Sequence, residues 1–291
     1  MSDREAMFWE RGEGGSANCL LCPHACKIAQ GNFGICRARK NVNGELVPLS
    51  YGKLSSIALD PIEKKPLGMF YPGKLILSLG SFGCNLRCPF CQNSSISMEF
   101  EEASFNRKPT SAGEVLDLAA SCVPEGNIGI AYTYNEPFVA YEYMLDCAVL
   151  AHGNGLKNVV VTNGYVSEEP FEQILPYIDA MNIDLKGFSE GYYKQLGGSL
   201  DPVLRSIELA HKQAHVELTC LIVPDENSSE EHMGELASWV SSISPDIPLH
   251  ISRFFGMFKY SGRQATHPDL IYRLQDVAAK SLNNIYLGNM G

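Results

Sequence analysis

Short apolar runs and segments of helical period take turns along most of the chain. Strand-like runs lie at 75–79, 128–132, 158–162, 181–185, 216–223 and 248–252, rich in aliphatic residues and too short for buried helices. Between and after them, apolar positions recurring every three or four residues predict helices over 111–122, 138–152, 170–177, 202–214, 230–241 and 268–281. A further short run, 284–287, is expected to add a strand or seal a sheet edge. Six successive strand–helix units imply a parallel sheet with right-handed crossovers and helices outside it. Six are too few to close an eight-stranded barrel but curve the same way. The expected fold is therefore α/β, a partial (β/α)6 TIM-like barrel open along one side. In such a sheet, chemistry gathers at the carboxyl ends of the strands and the loops that follow.

The amino-terminal stretch breaks this rhythm. Cys19, Cys22, Cys26 and Cys36 are spaced Cys-x2-Cys-x3-Cys-x9-Cys, and Gly31 and Gly34 allow turns that return Cys36 to the other three. The expected division is a Cys-rich metal-binding module at 1–50, a connector at 51–73 and the partial barrel at 74–291. Four thiolates close a metal site whose binding energy would help fold so small a module. Zinc suits such a site, although only Cys19 and Cys22 form a zinc-ribbon knuckle; a second iron–sulfur cluster is the equal alternative. His24 is a substitute ligand, a turn cap or a solvated histidine. In the connector, Asp60-Pro-Ile-Glu-Lys-Lys-Pro66 reads as a stiff exposed link, with substrate contact by Lys64 or Lys65 as the lesser alternative.

Composition narrows the function classes. The chain has 291 residues, 45% of them hydrophobic, and a formal net charge of -10, which argues against broad nucleic-acid or anionic-membrane binding. No apolar run reaches membrane-spanning length, and Met1 to Trp9 carries charges where a signal peptide needs an apolar core, so the cytoplasm is expected. Ten cysteines are many, yet seven fall into two tight clusters, which points to metal ligation rather than disulfides. Cys122, Cys147 and Cys220 stand singly among apolar residues and read as inert core positions.

The second cluster of cysteines, Cys84, Cys88 and Cys91, is spaced Cys-x3-Cys-x2-Cys directly after the first barrel strand. Three thiolates hold three corners of an iron–sulfur cube and leave one iron open, where a cofactor can bind and react. The alternative is a zinc site or an ordinary cluster completed by a distant cysteine. Beyond it, the second strand leads to Asn135 and Glu136, the third to Thr162 and Asn163, and the fourth to Asp184 and Lys186, which share one face of the strand. Glu136 suits a cationic group or the first turn of a helix at Pro137. Asp184 and Lys186 suit polar ligand groups or a salt bridge across the barrel top. His250 suits a ligand or a satisfied core position.

The loop Gly80 to Asn93, with Phe90 just before the third cysteine, resembles the radical S-adenosylmethionine (radical SAM) superfamily. There, SAM chelates the fourth iron through its amino and carboxylate groups. Phe90, Gln92, Thr162-Asn163-Gly164, Asp184-Leu185-Lys186 and His250 further resemble the activating enzymes of glycyl radical enzymes, typified by pyruvate formate-lyase activating enzyme, over about residues 74–252. The resemblance implies that these residues, with Asn135 and Glu136, surround SAM. Val161 stands where those activases have an aspartate, so their cation site is not expected. Cys19-Leu-Leu-Cys22-Pro-His-Ala-Cys26, Gly31-Asn-Phe-Gly34-Ile-Cys36, Asp60 to Pro66 and Tyr132-Thr-Tyr-Asn-Glu-Pro137 resemble the radical SAM member of the AmmeMemoRadiSam system across nearly the whole chain. Many members of that group continue with further cysteines past the point where this chain ends, so a function carried by such a tail is not expected.

The reaction implied begins with one electron from a donor such as flavodoxin or ferredoxin. SAM is then cleaved to methionine and a 5'-deoxyadenosyl radical, which abstracts hydrogen from a substrate. A protein glycine Cα is the substrate expected from the activase resemblance. The competing expectations are radical modification of a small molecule, or a non-catalytic iron–sulfur or zinc protein that carries electrons or scaffolds a complex. Neither nucleic acid nor membrane is expected as a partner.

Overall fold

The computed structural model describes residues 4–290; Met1 to Asp3 of the charged amino-terminal stretch, and Gly291, lie outside them. The amino-terminal module is built of short strands. β1 (Trp9–Arg11), β2 (Ala17–Cys19) and β3 (Lys27–Ile28) form an antiparallel sheet, and β4 (Arg39–Val42) and β5 (Glu45–Pro48) form a hairpin. Asn43 and Gly44 turn that hairpin with φ of 55° and 85°, the left-handed pair that a two-residue loop requires.

The main sheet follows. β6 (Ser56–Pro61), β7 (Leu75–Gly80), β8 (Asn127–Tyr132), β9 (Lys157–Thr162), β10 (Ala180–Asp184), β11 (His215–Ile222), β12 (Leu249–Arg253) and β13 (Ile285–Gly288) lie side by side in chain order. From β7 to β13 every pairing is parallel, whereas β6 runs antiparallel to β7. All six expected strands are present, and the run at 284–287 adds a further parallel one. The helices are α1 (Ser94–Ser97), α2 (Ala112–Ser121), α3 (Tyr141–Gly153), α4 (Glu168–Ile174), α5 (Glu190–Gln195), α6 (Asp201–His211), α7 (Glu230–Ile243) and α8 (Pro268–Ala278). Their starts are encoded locally: Ser111 and Glu114 form a capping box on α2, and proline stands in the first turn of α6 and α8. Leu77, Ile130, Val160, Ile183, Leu218 and Ile251 form a buried layer across the sheet, and Cys147 and Cys220 pack within the same core. Among the described residues no helix is long and apolar enough to cross a membrane.

The segment expected as an exposed link is instead built into the barrel. Its first part is edge strand β6, and Ile62, Lys65 and Leu67 are almost wholly buried. Pro66 O accepts from Asn182 Nδ2 of β10 at 2.8 Å, and Gly68 N and Met69 N each donate to Glu217 of β11 at 2.8 Å. At Gly68 a Cβ would stand 2.8 Å from the ring of Tyr286 on β13. The connector thus crosses the interior of the curved sheet from one edge to the other. A partial barrel leaves a hollow that must be filled to native density, and the apolar residues of this segment fill it.

Candidate active site

At the carboxyl ends of the parallel strands lies a cavity of about 490 Å3. The loop after β7 brings Cys84, Cys88 and Cys91 to its wall. To do so the chain passes through Gly83 at φ +98°, where a Cβ would stand 2.6 Å from the backbone oxygen of Cys36 and 3.0 Å from Ala38 Cβ. Glycine permits both the turn and the close approach to the amino-terminal module. The loop is pinned from several sides. Arg87 N donates to Leu196 O at 2.7 Å, Tyr260 N donates to Pro89 O at 3.2 Å, and the Asn135 amide holds the backbone of Ser81 and Gly83 at 2.9 and 3.0 Å. Asn135 therefore lines the cavity with both ends of its amide already engaged by the cysteine loop.

The three thiols fit an iron–sulfur cluster by their chemistry. They are soft donors facing one cavity, and Cys84 Sγ receives Leu86 N at 3.4 Å and Asn163 Nδ2 at 3.7 Å. Burial, with the charge of Glu136 added, raises the Cys84 thiol; burial pushes Cys88 up to about 11 against the pull of Lys186. Thiols in that condition become thiolates when a metal takes the place of the proton. Among the described residues the cavity wall holds neither a histidine nor a fourth cysteine.

On the same cavity, Glu136 is buried after β8. Its carboxylate accepts from Thr162 Oγ1 at 2.7 Å, Asn163 N at 2.8 Å and Phe138 N at 3.1 Å, so it caps the turn at Pro137 while facing the cavity. Burial, with the Asp184 charge adding, pushes it up to about 7 against those hydrogen bonds. Asp184 at the end of β10 and Lys186 beyond it form an ion pair at 2.8 Å on the wall. Burial opposes the Lys186 charge, but Asp184 and Cys88 outweigh it and hold the amine well above its ordinary value. Phe90, Gln92, Thr162 and Asn163 complete the wall named from the sequence. His250 stands elsewhere: Ser252, two residues on and on the same face, lines the cavity, whereas His250 lies one pleat deeper. There its Nε2 meets Glu217 at 2.6 Å and its ring stacks on Tyr286 at 4.9 Å.

Asp60 and Tyr134 join the cavity wall without being singled out in the sequence, and Lys64 and Lys65, expected at a site only as the lesser alternative, line it with them. Asp60 on β6 accepts from Lys64 at 3.1 Å, Lys65 at 2.8 Å and the Tyr134 hydroxyl at 2.5 Å, and all four residues line the cavity. Burial alone would raise Asp60, but those three bonds hold it well below the usual carboxylate range. Tyr134 adopts φ +71°, a strained value for a bulky residue, with Lys65 Nζ 4.7 Å from its ring centre. The signal in the sequence was an acid followed by lysines four and five positions on, a spacing that one tight helical turn folds together.

The four amino-terminal cysteines line a second, smaller space with His24, Arg39 and Asn85. His24 Nε2 donates to Asn85 O at 2.7 Å, so that nitrogen is committed to a hydrogen bond.

Comparison with known proteins places this geometry in a family. The model of the radical SAM superfamily matches residues 79–239. An uncharacterized protein of Methanocaldococcus jannaschii is 40% identical over 290 residues, covering 99% of this chain and 85% of its own. The 4-hydroxyphenylacetate decarboxylase activating enzyme of Clostridium scatologenes is 25% identical over 120 residues, 40% of this chain and 38% of that one. In fold, a radical SAM methyltransferase from Sphaerobacter thermophilus superposes with a TM-score of 0.55 at 15% identity, covering 75% of this chain and 67% of that one.

Proposed function

The chain belongs to the radical SAM superfamily, and from that premise we propose that Cys84, Cys88 and Cys91 hold its four-iron cluster, with SAM lying between them and Glu136. The cofactors of the family are a [4Fe–4S] cluster and SAM. Together they supply reductive cleavage of a carbon–sulfur bond, giving methionine and a 5'-deoxyadenosyl radical that abstracts hydrogen from substrate. The observation that carries this assignment is the meeting of three thiols, a buried carboxylate and an acid–lysine pair around one cavity.

In this reading Glu136 receives the SAM ammonium, Lys186 its carboxylate and Asp184 its ribose hydroxyls. Phe90, Gln92, Thr162 and Asn163 shape the site around them, and Asn135 acts through the loop backbone that it clamps. His250 supports the site from beneath through Glu217. The four amino-terminal cysteines form a second metal site. A one-electron donor such as flavodoxin or ferredoxin is the partner required. The joint motif pattern supports a place beside the radical SAM member of the AmmeMemoRadiSam system, and thiol ligation of metal favours the reducing cytoplasm.

For the substrate we propose a protein glycine Cα. Support comes from the similarity to an activating enzyme over 120 residues. A second reading, a small polar molecule, is favoured by Asp60, Lys64, Lys65 and Tyr134, which add charged and hydroxyl groups to the same cavity wall. The test is anaerobic reconstitution with SAM and dithionite, followed by chromatography. Formation of 5'-deoxyadenosine by the native chain and its loss in Cys88→Ala is expected; a fully loaded native protein that forms none would refute the reading. Adding candidate partner proteins and searching for a protein radical or mass change then separates the two substrates.

A further inference from the structure

Charge is spread unevenly along the chain. Residues 14–98 carry nine lysines and arginines against three acids, Glu45, Asp60 and Glu63, in a chain whose formal net charge is -10. Both groups of cysteines lie in that basic stretch. Arg87, between Cys84 and Cys88, fastens its two halves together. Its guanidinium donates to Cys84 O at 2.8 Å and Leu86 O at 3.0 Å, and to Ile35 O of the amino-terminal module. All three partners are carbonyls, so its charge is answered by no carboxylate among the described residues. The backbone N–H of Ile35 is bonded to the Cys26 thiol, and its side chain is 43% exposed. Lys27, the residue after Cys26, is exposed. Arg37, two residues past Ile35, is partly exposed and again bonds only carbonyls, Met98 O at 2.6 Å and Phe100 O at 2.9 Å. An exposed aliphatic side chain is thus set among three cations without ion pairs, the mixture of apolar contact and charge that a protein interface uses.

The direction in which this patch faces selects its partner. Leu86, Cys88 and Phe90 line the cavity, whereas Arg87 and Pro89 between them do not. A substrate and SAM must both enter the cavity. An electron need not, because its donor has only to sit outside the cysteine loop, close to the cluster. We propose that Lys27, Ile35, Arg37 and Arg87 form the docking face for an acidic one-electron donor protein, a flavodoxin or ferredoxin, with Arg87 at its centre. The proposal rests on the assignment of the cluster to Cys84, Cys88 and Cys91. The donor loses one electron and the cluster gains it, with no bond or proton exchanged between them. Complementary charge steers the encounter, and the exposed Ile35 supplies apolar contact once the two proteins meet.

The test uses the full chain, reconstituted anaerobically, and compares reduced flavodoxin with dithionite as the source of electrons. Lys27→Glu/Ile35→Asp changes only exposed side chains. In that variant the second-order rate of cluster reduction by flavodoxin should fall about tenfold or more, while 5'-deoxyadenosine formation with dithionite stays within about twofold of native. The native flavodoxin rate should also drop as salt rises from about 0.05 to 0.5 M, and the variant's should change far less. Arg87→Gln, which removes the central charge, should repeat the selective loss. Equal flavodoxin rates in native and both variants would overturn the proposal, and so would an equal loss with both reductants. A native chain that fails to cleave SAM even with dithionite would instead sink the cluster assignment. Binding of oxidised flavodoxin, measured by calorimetry, still reads the docking face in that case and should weaken about tenfold in Lys27→Glu/Ile35→Asp. Unchanged flavodoxin affinity there, beside lost affinity for a single-stranded RNA oligonucleotide, would give the face to nucleic acid and overturn the proposal.

Discussion

Glu136 shows how one side chain can satisfy a structural and a chemical demand together. Its carboxylate is held by three donors from two segments, so its position does not depend on a ligand, while burial leaves its charge poorly compensated and its pKa near 7. A cation arriving at that position relieves the imbalance. Glu136→Gln keeps the shape and removes the charge; SAM affinity should fall about tenfold or more, read from titration of the cluster signal, with iron content unchanged. Glu217, deeper in the barrel, has the opposite condition. Burial alone would raise it, but bonds from His215, His250, Gly68 N and Met69 N outweigh this and hold it at about 2. An acid depressed by folding contributes stability above its ordinary value of 4.5, and loses that contribution as pH falls toward 2. Glu217→Gln should therefore cost about 3 kcal/mol at pH 7 in urea unfolding, and the difference from native should shrink steadily below pH 4.5.

At the scale of elements, what the sequence made legible was what local pattern controls. The strands β7 to β12 are rich in apolar residues because both faces are largely covered, and their ends locate Cys84, Glu136, Thr162 and Asp184 without any tertiary knowledge. The connector was misread because two prolines and a charged run look like a solvated link, whereas its burial depends on a hollow that exists only once the sheet has curved. Tyr134 was missed for the same reason, since its hydroxyl partner Asp60 comes from a distant strand. The Asn43-Gly44 hairpin, by contrast, is encoded locally, in an Asn-Gly pair of left-handed residues. The cysteine loop itself depends on Gly83, whose φ and whose contact with Cys36 O both exclude a side chain. Gly83→Ala should cost about 2–3 kcal/mol in unfolding and lower the iron retained after reconstitution, because backbone on both sides of the clash cannot yield cheaply.

Over the whole molecule, a boundary near residue 50 follows composition but not packing. Cys19, Leu21, Ile28 and Leu46 belong to the same apolar core as the barrel strands, and Cys36 O abuts the cysteine loop. The joint is fastened by a buried ion pair between Arg39 of the module and Glu142 of α3, tied further by Met7, whose oxygen accepts from Arg39 Nη1 at 2.9 Å and whose nitrogen donates to Glu142 Oε1 at 2.7 Å. Arg39 Nε and Glu142 Oε2 have no hydrogen-bond partner, so the pair carries a desolvation cost that its geometry only partly offsets. Two substitutions separate the worth of the pair from the cost of breaking it. Glu142→Gln strands the Arg39 charge in the core and should destabilise the chain by about 3–5 kcal/mol, whereas Arg39→Met/Glu142→Leu should lose far less. Because one core spans module and barrel, urea unfolding followed by tryptophan fluorescence, which Trp9 and Trp239 report from opposite parts of the chain, should remain a single transition in both variants. Two separated transitions in the single variant would mean that the module folds as its own unit, and that the ion pair joins two bodies instead of stabilising one.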